Sequence, residues 1–179
     1  MLKIVIPPNE AFDETTNEFI SFKGQTIQIE HSLVSLSKWE SKWHKPFLSK
    51  GEKTTEETID YVRCMTITQN VDPNVYKFVT SDNVKSIEAY IDERMTATTF
   101  NNPKQTINKS IITAEIIYYW MITFNIPFEC QKWHLNRLLT LINVCSAKSQ
   151  PPGKMNKKEI MSRNASLNAA RKQALGTKG

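Results

Sequence analysis

Apolar positions along this chain change period several times, and each change marks an element. Leu2, Ile4, Val5 and Ile6 form a short run rich in β-branched side chains and closed by Pro7-Pro8, which predicts a strand over 2–6. Two more strand-like runs, 19–22 and 26–30, flank Lys23-Gly24 and predict a hairpin turning at that glycine. Beyond residue 30 the period lengthens to three or four. Leu33, Leu36, Trp39 and Trp43 predict a helix over Leu33–Trp43, stopped by Pro46, with both indoles on one face. Thr54-x-x-Glu57 is a capping-box signature for a helix carrying Ile59, Val62 and Met65. Pro73 opens a short helix holding Val75, Phe78 and Val79. Ser81-Asp82 caps a surface helix with one stripe, Val84, Ile87, Ile91 and Met95. Residues 98–109 are mostly polar, contain Pro103 and read as a loop.

The segment 111–125 is apolar on nearly all sides and reads as the central helix, ended by Pro127. With the broad Leu/Ile face of 135–144 it should form the helical hairpin at the heart of the domain. Composition then shifts. Residues 149–153 read as a hinge, and 156–175 is a good helix former whose large apolar residues are only Ile160, Met161, Leu167 and Leu175. Such a helix is either a solvated arm or one that orders on a partner. Five glycines and eight prolines are too few turn residues for a β-sandwich or propeller. The expected fold class is mainly α (α+β): a helical domain over 1–147 with N-terminal strands inside 1–30, followed by a basic, partly flexible helical tail over 148–179.

Charge sharpens that division. The chain is +5, but residues 148–179 hold eight Lys and Arg against Glu159 alone, a net of +7, which leaves residues 1–147 at −2. The pI near 9.1 is therefore a property of the tail. Lys154, Lys157, Lys158, Arg163, Arg171 and Lys172 are its candidate contacts for an acidic partner. Nucleic acid is the less favoured partner, because the tail lacks aromatics for base stacking and the body is slightly acidic.

Candidate chemistry is sparse. Cys64, Cys130 and Cys145 are odd in number and widely spaced, a pattern of reduced core thiols. Cys130-x3-His134 lacks the second pair that a structural zinc needs. No Gly-x-Ser-x-Gly, phosphate-binding glycine loop or His-Glu-x-x-His occurs. The expectation is no catalytic residue, no cofactor and no metal. Glu115, inside the apolar helix, should be hydrogen-bonded or at an edge, since an unpaired buried charge is costly. The longest apolar run, 111–126, is shorter than the roughly 20 residues that span a bilayer, and no signal-like segment opens the chain, so no membrane association is expected. Segment 38–47 interleaves aromatics with charge. Trp39, Trp43 and Phe47 are there read either as core or as a contact surface.

Residues 28–48 and 57–65 resemble blocks of the tail assembly chaperones of long-tailed bacteriophages. So do 111–141, with Ala-Glu-Ile-Ile-Tyr-Tyr-Trp-Met at its core and Trp133-His-Leu-Asn-Arg-Leu-Leu139, and the ending 167–179. The resemblance implies a non-enzymatic protein that keeps the tape-measure protein soluble while tail-tube subunits polymerise around it, in the host cytoplasm. The implied partners are the tape-measure protein and the tail-tube protein, with self-association open. In this family a longer product is often made by frameshifting. The N-terminal strands keep a second reading open, an adaptor or baseplate component retained in the virion tail. The basic tail keeps a third, a nucleic-acid-binding regulator.

Overall fold

The computed structural model describes residues 1–13, 17–100, 111–149 and 157–176. It is mainly α with a small β component, as the periodicity indicated. A compact unit covers Met1–Cys145, and a second unit covers Ser146–Gly179.

The β component is one long antiparallel ribbon in two segments. β1 (Leu2–Ile6) pairs with β4 (Gln25–Ile29), and β2 (Asn9–Asp13) pairs with β3 (Glu18–Phe22). The register runs unchanged through both, from Leu2↔Ile29 and Ile6↔Gln25 to Asn9↔Phe22 and Asp13↔Glu18. This corrects the hairpin expected at Lys23-Gly24: β3 and β4 do not pair with each other. Lys23-Gly24 is the point where the ribbon breaks, opposite Pro7-Pro8, because proline has no N–H to give a ladder. Gly24 has φ +79°, and a Cβ there would lie 2.8 Å from the Pro8 nitrogen. β2 escaped the pattern reading because Asn9-Glu10-Ala11-Phe12-Asp13 holds no β-branched residue.

Ile4, Ile6, Phe22, Ile27 and Ile29 point the inner face of the ribbon into the core. α1 (Leu33–Trp43) follows with a Ser32/Ser35 capping box, and ends at His44 in the left-handed conformation, two residues ahead of Pro46. α2 (Thr55–Met65) starts on the expected box, Thr54 accepting from the Glu57 N–H and Glu57 accepting from the Thr54 N–H at 2.9 Å. The chain leaving α2 runs beside β4: the Glu30 N–H donates to the Met65 carbonyl and the Ile67 N–H to the Gln28 carbonyl. A 3₁₀ segment, Pro73–Phe78, leads to α3 (Ser81–Asp92), capped by Thr80 rather than by Ser81. α3 stops before Met95, whose φ of +51° lies in the left-handed region, so Met95 is not part of the helical stripe.

α4 (Ala114–Thr123) is shorter than the expected 111–125, and it is not buried all round. Only Ala114, Ile117 and Met121 are buried, while Tyr119 and Ile122 are more than 60% exposed. A second 3₁₀ segment, Phe128–Lys132, connects it to α5 (Leu135–Ser149). Ser149 ends α5, and the rest of the predicted hinge at 149–153 and most of the loop at 98–109 lie outside the described residues. In the second unit, α6 (Lys157–Leu175) is helical, and Ile160, Met161, Leu167 and Leu175 are all exposed.

Two hydrophobic clusters make the core of the first unit. One gathers the ribbon, Trp39, α2, the first 3₁₀ segment and α3. The other gathers Leu33 and Leu36 with the buried faces of α4 and α5. α1 alone gives large, fully buried side chains to both, so α1, rather than the 111–144 hairpin, is the centre of the domain.

The ribbon's break gives the first prediction. Gly24→Ala should cost at least about 1 kcal/mol, from the left-handed backbone and the contact with Pro8 together. An unchanged urea midpoint would show that the break does not depend on that glycine.

Candidate binding surfaces

The aromatic segment 38–47 resolves into a clasp between α1 and α2. Trp39 is 1% exposed, and its indole N–H donates to the Glu57 carbonyl at 2.8 Å. This overturns its reading as a contact surface, since a side chain of that size sealed under α2 has nothing left to present. Trp43 is half-buried, and its Nε1 donates to Asp60 Oδ2 at 2.9 Å. Phe47, also half-buried, stacks on Tyr61 with ring centroids 3.8 Å apart, and Lys53 Nζ lies over the Phe47 ring, 4.6 Å from its centroid. Lys42 reaches Asp60 at 2.6 Å and Lys45 reaches Glu57 at 2.5 Å. The Lys45 contact and the Thr54 N–H hold the Glu57 carboxyl below its usual range. Burial pushes the Asp60 carboxyl up, but hydrogen bonds from Lys42 and Trp43 and the charges of Lys42 and Arg63 outweigh it, leaving Asp60 below its usual range as well.

Glu40 does for α4 what these groups do for α2. Buried at the end of α1, it accepts from the Phe47 N–H at 2.8 Å through Oε1 and from the Ala114 N–H at 2.7 Å through Oε2. Ala114 is the first residue of α4, and Thr113 supplies no side-chain cap. A carboxylate 74 residues away therefore caps this helix and meets the positive end of its dipole. Glu115 is exposed in the first turn, held below its usual range by its own backbone N–H and by Thr113.

Between the two clusters lies a buried polar seam. His31 Nδ1 meets the Tyr61 hydroxyl at 2.6 Å, and the ring of His134 stands 5.2 Å from that of His31, centroid to centroid. The Leu135 N–H donates to the His31 carbonyl at 2.7 Å, tying the start of α5 to the start of α1. His134 Nε2 donates to the Tyr90 carbonyl at 2.9 Å, and the Tyr90 hydroxyl donates to Glu30 at 2.7 Å. Burial, with a smaller contribution from His134, pushes His31 down to about 3. Burial also pushes the Tyr61 and Tyr90 hydroxyls up, so both remain donors.

Three apolar surfaces stand out among the described residues of the first unit. Between α2 and α3 runs an apolar groove of about 420 Å³. Tyr61, Val62, Tyr76 and Ile87 form its floor, half-buried Ile59, Val79, Val84 and Ile91 its walls, and Lys53, Lys77 and Glu88 its rim. The exposed face of α4 is the second. The third is the outer half of the ribbon, where Phe12 and Phe19 meet edge to face at 5.1 Å while 48% and 76% exposed. The stripes of α2 and α3 were visible in the sequence. That they flank a groove instead of closing on each other was not, because a stripe does not reveal what it faces.

Of the tail cations, Lys158, Arg163, Arg171 and Lys172 are exposed and spread round α6 rather than along one face. Lys157 opens that helix, while its side chain and all of Lys154 lie outside the described residues. Among the described residues no three His, Cys, Asp or Glu side chains gather as metal ligands, and no helix is long and apolar enough to cross a membrane.

Two predictions follow from the clasp and the seam. Glu40→Gln can accept at only one of its two contacts, so it should cost about 1.5–3 kcal/mol, read as a lower melting temperature. An unchanged value would mean α4 is not held there. His31 stays neutral when folded but titrates near 6.5 when unfolded. Its contribution is therefore complete above pH 6.5 and is lost as the pH falls toward 3, at up to about 1.4 kcal/mol per pH unit. Glu57 and Asp60 add losses of the same sign only below about 4.5. Melting temperature should thus fall between pH 6.5 and 4.5, and His31→Gln should flatten that interval; an equal slope in the variant would assign it to other groups.

No family model, curated protein or solved structure matches this chain.

Proposed function

We propose that the chain is a non-catalytic binding protein, a tail assembly chaperone of a long-tailed bacteriophage that keeps the tape-measure protein soluble during tail-tube assembly in the host cytoplasm. The observation that carries this reading is the groove between α2 and α3. Its walls are apolar side chains of α2, α3 and the segment between them, a lining of the kind that takes the apolar stripe of a third helix, with anchors spaced at three and four residues. A long, largely helical chain awaiting its tube offers many such stripes. The sequence resemblance over 28–48, 57–65, 111–141 and 167–179 points to the same role. α6, exposed and basic, adds a second contact for acidic stretches of the partner or of the tail-tube protein.

The outer ribbon favours a second reading, a component retained in the virion. A two-stranded ribbon carrying exposed Phe12 and Phe19, with four acids and no Lys or Arg in residues 9–22, has the form of a docking arm for a basic socket.

Co-expression with the tape-measure protein encoded nearby separates the two. The chaperone reading expects soluble tape-measure protein that co-purifies with the chain. It also expects Ile59→Asp with Ile91→Asp to abolish this in a variant that circular dichroism shows to be still folded. Insoluble tape-measure protein, together with the chain in purified virions by mass spectrometry, would replace it with the virion-component reading.

A further inference from the structure

The groove between α2 and α3 carries an unpaired charge on each wall. Lys53 leads into α2 and is half-buried, with Nζ 4.6 Å from the centroid of the Phe47 ring. Other cations of the α1–α2 clasp meet a carboxylate: Lys42 and Arg63 share Asp60, and Lys45 holds Glu57. Lys53 meets none within ion-pair distance among the described residues. Glu57, whose carboxyl feels the Lys53 charge, is already taken by Lys45 and by the Thr54 N–H. On the facing wall Glu88 of α3 is exposed and likewise unpaired among the described residues, while Lys85 turns to Asp82. Lys77, the third charge on the rim, already interacts within the chain. Between Lys53 and Glu88 the lining is apolar, with Ile59, Val62, Ile87 and Ile91.

Resting on the reading of this groove as the partner site, we propose that it selects one kind of amphipathic helix. The apolar stripe of that helix is bordered by a carboxylate on the side facing α2 and by Lys or Arg on the side facing α3. Lys53 takes the carboxylate and Glu88 takes the cation. An ammonium held over an aromatic ring at the mouth of an apolar groove is partly stripped of water, so a carboxylate laid beside it is screened less than on an open surface. A helix lacking that carboxylate would cover Lys53 with apolar side chains and leave it without a counter-ion. A helix acidic on both borders would set like charge against Glu88, and one basic on both borders would set it against Lys53. The two rim charges differ in sign and stand on opposite walls. Turning the same helix end for end exchanges its borders and opposes like charges at both. The rim therefore selects the direction of the bound helix as well as its sequence.

The test uses the complex of the full chain with the co-expressed tape-measure protein. A carbodiimide joins an amine to a carboxylate only where the two touch. It should link Lys53 to an Asp or Glu, and Glu88 to a Lys, of one tape-measure helix, both sites mapped by mass spectrometry. Lys53→Glu should weaken binding about tenfold and Lys53→Met about threefold, in variants that circular dichroism shows to be folded. Changing the cross-linked tape-measure acid to Lys should weaken binding to the wild-type chain, and Lys53→Glu should rescue it. If Ile59→Asp with Ile91→Asp abolishes binding while Lys53→Glu and Glu88→Lys bind as the wild type does, the groove is the site and its rim charges do not select the helix. No complex at all, or one that Ile59→Asp with Ile91→Asp leaves intact, would remove the groove as the partner site and the proposed selection with it. A chain that doubles its mass alone, and stays monomeric when Lys53→Glu is introduced, would assign the groove to a second copy instead.

Discussion

The structure depends on one helix serving two cores. α1 gives Leu33 and Leu36 to the cluster of α4 and α5, and Trp39 to the cluster of the ribbon, α2 and α3. An eleven-residue helix cannot hold both sides by apolar burial alone without becoming hydrophobic all round, and α1 is not. Polar groups complete the attachment. Glu40 caps α4, the Trp39 indole donates to the α2 backbone, and Lys42 and Trp43 share Asp60. Loss of Trp39 would therefore cost about 3–5 kcal/mol, the range for emptying a buried aromatic site, and would act on the fold before it acted on any partner.

This arrangement fixes where the outward apolar surfaces can be. α2 is held to α1 and to β4, α3 lies along β1, and the space between α2 and α3 stays open as a groove. α4, held by its first turn and by Ile117 and Met121, necessarily turns Tyr119 and Ile122 outward. The buried His31–His134 seam lies where the two clusters meet, and burial favours the neutral imidazole of His31, so this element of the fold senses acid.

Much of this was legible in local patterns. The capping box at Thr54, the proline at 73 and the leucine spacing of α1 each fixed an element, because caps and stripes act within one or two turns. The basic, solvent-facing tail helix was legible for the same reason. The ribbon was misread because a glycine between two strand-like runs looks like a turn, and only its pairing with Pro7-Pro8, sixteen residues away, makes it a break. α4 was misread as buried because composition records apolarity and not its cause: Ile117 is apolar for the core, Ile122 for a surface. Trp39 and Trp43 share a face, yet one is sealed and the other half-open, a difference set by α2 and invisible in their spacing.

The most direct measurement is amide hydrogen exchange across the chain, alone and in complex with co-purified tape-measure protein. If the groove between α2 and α3 holds the partner's helix, exchange should slow in 55–65 and 73–92, and the ribbon segment 9–22 should be unaffected. Slowing confined to the ribbon or to α6, with α2 and α3 unchanged, would contradict the account.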